Sequence, residues 1–267
     1  MTSPLSSYHA SDGAAYERFL GRWTPLLAEP LLDFLAPGEG DLLDVGCGTG
    51  SLAFAMHGRW PSRQVVGADI AAAYIEEARA RAVDGSPRFD VAEAGALPYA
   101  DDSFAAAAAQ LVLSFVGDPD RAVAEMRRVV GPGGAIAASV WDFRSLVFQR
   151  LFWDSAAGVE PAAGTARDKL FSHPLGQPAG LVDLFRRGGL SAVTRASLTI
   201  RMDFASFDDY WTPLLGGQGP FSGFVAGLDA ERRARVEALV RAAYLSGAPD
   251  GPRSLTAAAW AARGIVP

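Results

Sequence analysis

The run Leu42-Leu43-Asp44-Val45-Gly46-Cys47-Gly48-Thr49-Gly50 is an apolar strand that stops at a turn with glycines in three alternate positions. Glycine is needed where a backbone turns with positive φ or where a ligand lies against the main chain, and this spacing points to both. The turn reads as the floor of a nucleoside pocket. Three further features follow in the order such a pocket requires. Val65-Val66-Gly67-Ala68-Asp69-Ile70 closes a second strand with an acid. A carboxylate there accepts hydrogen bonds from both hydroxyls of a ribose, or caps the helix that follows. Asp90 to Pro98 ends a third strand at Glu93-Ala94. An acid followed by a free backbone N–H reads the edge of adenine, or forms a plain polar loop. Gln110 ends a fourth strand, where the reactive end of a ligand lies.

Such residues must be held at the carboxyl ends of parallel strands, where the strand order reverses. The hydrophobic pattern predicts that sheet. Strands at 41–46, 64–69, 88–92, 104–110 and 134–141 alternate with helices at 50–59, 72–83 and 119–130. Residues 14–36 have helical spacing, which Pro25, Pro30 and Pro37-Gly38 divide into short helices. Beyond Trp141, residues 144–158 and 179–188 read as helices on either side of an Ala, Gly and Pro-rich stretch, an insertion expected to roof the pocket. A long strand at 192–204, an amphipathic helix at 228–245 and a last strand at 255–262 complete the chain.

Composition sets the class. Of 267 residues, 49% are hydrophobic and 20% charged, enough apolar surface for a large core. The net charge of −6 and the absence of a Lys/Arg block disfavour nucleic acid as a partner. The single cysteine, Cys47, excludes an intramolecular disulfide and a cysteine metal cluster, and no metal site is expected. Met1 to Ser11 lacks a basic start and an apolar core, and no run of about 18 apolar residues occurs, so no membrane is expected and the cytoplasm is.

A nicotinamide or flavin dinucleotide wants Gly-x-Gly-x-x-Gly, whereas Ser51 stands in the place of the third glycine. The chain resembles instead the class I S-adenosylmethionine-dependent methyltransferases, in their small-molecule, methyltransferase type 11-like branch. The resemblance covers about 40–142. It rests on the Asp44 to Gly50 turn, Asp69, Glu93-Ala94 ahead of Ala96-Leu97-Pro98, Asp102-Ser103-Phe104, and Arg128 followed by Val129-Val130-Gly131-Pro132-Gly133-Gly134. It implies an α/β fold, a doubly wound, seven-stranded and mostly parallel sheet ordered 3-2-1-4-5-7-6 in which only the seventh strand is antiparallel. The organisation expected is one compact domain, with an N-terminal helical lid (1–36), a cofactor-binding Rossmann-like core (37–142), a helical cap (143–190) and C-terminal elements completing the sheet (191–267).

The resemblance also implies S-adenosylmethionine as cofactor. Gly46, Cys47, Gly48 and Gly50 would surround its methionine part, Asp44 would support the turn and the amino group, Asp69 with Ile70 would hold the ribose, Glu93 with Ala94 the adenine, and Gln110 would stand at the reactive end. The chain departs from the family in two places. Phe104-Ala105-Ala106-Ala107 lacks the acid that often follows the Ser-Phe pair, and Glu93 stands where Asp is commoner.

A sulfonium methyl is already an electrophile, so the protein's task is to align a nucleophile and exclude water, and positioning alone supplies effective molarities of about 10⁵ to 10⁸ M. No catalytic residue is required. His9 in the lid and His173 in the insertion are the candidate bases. Arg22 either meets the cofactor carboxylate from the lid or is a surface arginine. Tyr16, Trp141, Phe143 and Trp211 either pack the core or contact an apolar or aromatic acceptor. The expected function is methyl transfer to an O, N or C nucleophile of a small molecule, by a monomer or homodimer. The alternatives are an S-adenosylmethionine-binding protein of this fold that catalyses a non-methylating reaction, and an NAD(P)-dependent oxidoreductase, which Ser51-Leu52 argue against.

Overall fold

The computed structural model describes residues 21–216 and 219–267. The chain runs α1 (Thr24–Leu35), β1 (Leu42–Val45), α2 (Ser51–Arg59), β2 (Val65–Asp69), α3 (Ala72–Arg81), β3 (Arg88–Val91), β4 (Phe104–Gln110), α4 (Pro119–Val129) and β5 (Val130–Trp141). It continues through α5 (Val147–Ala157), α6 (Pro161–Phe171), a 3-10 turn (Pro174–Gly176), α7 (Gly180–Arg187), β6 (Ser191–Phe204), α8 (Phe207–Leu214), α9 (Gly219–Ala226), α10 (Ala230–Leu245) and β7 (Arg253–Ile265).

The seven strands form one sheet in the order β3-β2-β1-β4-β5-β7-β6. Strands β1 to β5 pair in parallel, and β7 runs antiparallel to both β5 and β6. The order follows from the handedness of crossovers. The steps β1→α2→β2→α3→β3 move toward one edge and β4→α4→β5 toward the other, so right-handed connections put α2 and α3 on one face and α4 on the opposite face. The reversal lies between β1 and β4, which opens a crevice at their carboxyl ends.

On the α2 face, Cα register aligns Ala106 and Ala108 of β4 with Ala135 and Ala137 of β5, while Ser139 and Trp141 of β5 align with Ala261 and Ala259 of β7. These alanines are buried, and their small side chains let α1 lie low on the sheet through Leu27, Leu31 and Leu35, each fully buried. Arg263, from the same face of β7, donates to the Leu35 carbonyl at 2.8 Å and so satisfies the carboxyl end of α1. The amino end of α1 therefore sits over the crevice.

The structure differs from the sequence expectation in four places. Helix α1 continues through Pro30, with Pro25 in its first turn. Leu26, whose carbonyl loses the Pro30 partner, lies on the exposed side of the helix. The Ala, Gly and Pro-rich stretch carries helix α6, opened by Pro161 at its first turn. Helices α8 and α9 occupy 207–226, where no element was expected. Within 143–190, α7 packs on α4, β6 and β7 as part of the sheet's helical layer, whereas α5 and α6 pack with each other and α5 reaches both α10 and β7.

Candidate functional site

The turn after β1 is set by its glycines. All three have positive φ. At Gly46, φ is +70° and a Cβ would collide with the Val112 side chain, so the loop after β4 closes directly on this backbone. Gly48 donates its N–H to Asp69 Oδ2 at 2.9 Å, and Asp69 Oδ1 accepts the Ala71 N–H at 2.9 Å. Asp69 thus ties the glycine turn to the start of α3. It serves the helix start as well as the turn, and each of its oxygens keeps a second lone pair for a ligand hydroxyl. Burial raises its pKa, against the lowering effect of the two N–H bonds.

Asp44 lies beneath the turn with no exposed surface. Its Oδ2 accepts the Ala53 N–H of α2 at 3.0 Å, while its Oδ1 is buried with no hydrogen-bond partner. Burial pushes its pKa up to about 8, with the Ala53 bond opposing and the Asp69 charge adding to the rise. A carboxylate oxygen left in this state fits a cationic group brought to the turn. Cys47 is buried as a free thiol whose pKa burial raises, so its backbone is what it offers.

Beside Asp69, the Ile70 side chain is 69% exposed, an apolar surface standing open at the end of β2. Glu93 is exposed, and its carbonyl accepts the Ala96 N–H at 2.9 Å, forming a tight turn that leaves the carboxylate outside. Ile70, Glu93 and Ala94 thus follow the ends of β2 and β3, where a planar base could lie.

Across the crevice, Gln110 donates Nε2–H to the Thr24 carbonyl at 3.0 Å and keeps Oε1 buried without a partner. Its register partner on β5 is Ser139, whose buried hydroxyl also has none. Sequence reasoning missed Ser139, although a lone hydroxyl in the apolar run Ala135 to Val140 was the available signal. Thr24 Oγ1 lies 2.9 Å from Ser51 Oγ at the head of α2, so the start of α1 bridges both walls.

Arg22 is held just ahead of α1 by an ion pair. Its guanidinium bonds Asp209 Oδ1 at 2.7 Å and lies over the rings of Trp23 and Phe204. Trp141 and Phe143 are buried at the end of β5, with Phe143 edge-on to His173 at 5.9 Å. Trp211 stacks between Phe152 and Phe207 at 6.0 and 5.7 Å. His173 Nδ1 accepts the Leu175 N–H at 3.3 Å, which leaves the proton of the neutral ring on Nε2, a donor and not a base. Burial lowers its pKa. His9 and Tyr16 lie outside the described residues.

The family described as Methyltransferase domain matches residues 43–138. The chain is similar to a ubiquinone/menaquinone biosynthesis C-methyltransferase UbiE of Desulfotalea psychrophila, 39% identical over 37% of this chain, and spans only 40% of that protein's length. It is 31% identical to a malonyl-[acyl-carrier protein] O-methyltransferase of Halorhodospira halophila over 84% of this chain and 75% of the relative. Among solved structures it is similar to the [4+2]-cyclase SpnF, at 25% identity and a TM-score of 0.51, over 97% of this chain and 86% of that one.

Proposed function

Because the chain belongs to the class I S-adenosylmethionine-dependent methyltransferases, we propose that it transfers a methyl group from S-adenosylmethionine to an O, N or C nucleophile of a small, apolar or aromatic molecule. The observation that carries the reading is the unpartnered, buried Oδ1 of Asp44 beneath a turn of positive-φ glycines. An α-ammonium at the turn satisfies that oxygen.

S-adenosylmethionine supplies an electrophilic methyl on a sulfonium. The chain's own residues hold and orient. The main chain of Gly46 to Gly48 lines the methionine part, Asp69 accepts from the ribose hydroxyls, Ile70 covers the base and Glu93 with Ala94 reads its edge. Gln110, fixed by Thr24, turns its free carbonyl oxygen toward the reactive end. The ring-rich cap excludes water, so an incoming nucleophile meets the methyl by proximity and needs no dedicated base. A cytoplasmic setting, as monomer or homodimer, belongs to the same proposal and is supported by the one cysteine being a buried free thiol. Among the described residues no helix is long and apolar enough to cross a membrane.

A second reading, binding of S-adenosylmethionine without methyl transfer, is favoured by the likeness to a [4+2]-cyclase over nearly the whole chain. Calorimetric titration with S-adenosylmethionine, S-adenosylhomocysteine and NADH tests the pocket. Micromolar binding of the first two and none of NADH supports it, and NADH binding alone refutes it. Transfer of a labelled methyl to aromatic acceptors then separates the two readings.

A further inference from the structure

Helix α5 follows the carboxyl end of β5 and buries two polar atoms that no described residue satisfies, Gln149 Oε1 and Trp153 Nε1. Gln149 is 9% exposed and Trp153 1%. Four residues apart, they share one face of the helix, about 6 Å apart along its axis. Their surroundings are aromatic, since Trp153 stacks on Phe221 at 5.3 Å and meets Phe152 edge-on at 4.9 Å. Buried polar groups are almost always paired, and an indole N–H with an amide oxygen left bare on one helix face calls for a ligand that brings the complement of both.

A run of ring contacts leads from this helix face to the crevice. Phe221 meets Phe148 at 5.9 Å, Phe148 stacks on Phe204 at 6.2 Å, and Phe204 packs on Trp23 at 5.2 Å, one residue before the Thr24 that holds Gln110.

We propose that Gln149 and Trp153 are the recognition pair for the acceptor. Gln149 Oε1 accepts from a hydroxyl or N–H of the acceptor, and Trp153 Nε1–H donates to a carbonyl or ether oxygen. The acceptor class is therefore an aromatic-sized, largely apolar molecule that carries one such donor and one such oxygen. The inference rests on the methyl-transfer reading and adds the chemistry of the second ligand.

The test uses ¹⁵N-labelled full-length protein saturated with S-adenosylhomocysteine and titrated with methyl 4-hydroxybenzoate and with methyl benzoate, which lacks the hydroxyl. The chain has six tryptophans, and the indole N–H signal missing from Trp153→Phe identifies the relevant one. That signal should move with either ester. Gln149→Leu should weaken the hydroxy ester about tenfold, as expected for one lost hydrogen bond, and leave methyl benzoate unchanged. An unmoved Trp153 signal, no binding of either ester, or an equal loss for both in Gln149→Leu overturns the proposal. The wild-type shift needs no variant at position 149, and Gln149→Leu that still binds S-adenosylhomocysteine is folded. Wild-type protein that fails to bind S-adenosylhomocysteine refutes the cofactor reading instead.

Discussion

Replacing Asp44 by Asn should remove a pH dependence that wild type carries. Burial raises the Asp44 pKa from 3.8 to about 8, so the folded protein holds a proton there that the unfolded chain releases. A raised carboxylate contributes stability that is fully present below the unfolded value and lost as pH rises through the folded one. Roughly four units at about 1.4 kcal/mol each give about 6 kcal/mol lost between pH 4 and 8 in ligand-free protein. Urea unfolding across that range should show the decline in wild type and a much flatter curve in Asp44→Asn, where the same-sign contribution of Asp69 and the opposite-sign contribution of His173 remain. Ligand binding gives the second readout. At pH 7 the ligand-free carboxyl is about nine-tenths protonated, and an ammonium beside it favours the ionised form. Binding of S-adenosylhomocysteine should therefore expel close to one proton from wild type and none from the variant, measured by calorimetry in two buffers of different ionisation enthalpy. Equal proton release from both proteins would show that Asp44 does not face the amino group.

Asp69→Ala should weaken S-adenosylhomocysteine by about 3 kcal/mol, or about a hundredfold, for two hydrogen bonds to a charged acceptor; an unchanged titration rules out the ribose assignment. Gly46→Ala should cost about 2–4 kcal/mol, from an L-residue at φ +70° and overlap with Val112. Adding Val112→Ala removes the two γ-methyl overlaps but leaves its Cβ in the way, so it should return only part of that in urea midpoints, and no return would place the strain elsewhere. Pro30→Ala should stabilise the fold by about 2 kcal/mol, the helix-interior gain of about 3 less the entropy released to the unfolded chain. A lower melting temperature in that variant would mean the Pro30 ring makes contacts the helix needs.

The sheet was legible because its signal is local. Each parallel strand is a short apolar run closed by a residue of special type, Gly46, Asp69 or Gln110, and each crossover helix has its own period. Asp44 and Asp69 could be placed for the same reason, since the end of a strand fixes where they stand. The cap was less legible. Helix α6 hides in small residues with little contrast between faces, and α8 and α9 are short helices whose burial is set by distant partners such as Phe152 and Tyr244. Arg22 shows the limit most plainly. Its partner Asp209 is 187 residues away, and no periodicity relates the two.

The first turn of α1 is a shared footing. The Thr24 carbonyl holds Gln110, its hydroxyl meets Ser51, Trp23 leans on Phe204, and Arg22 reaches Asp209. On the proposed reading, a cofactor loading one side and an acceptor loading the other would bear on the same peptide. Linkage makes any resulting coupling mutual, so the factor by which one ligand tightens the other is the same in both directions. The alanine floor under α1 then becomes a remote control of both affinities. A bulkier side chain at Ala259, a buried floor position beside Trp141, should lift the helix and move that footing.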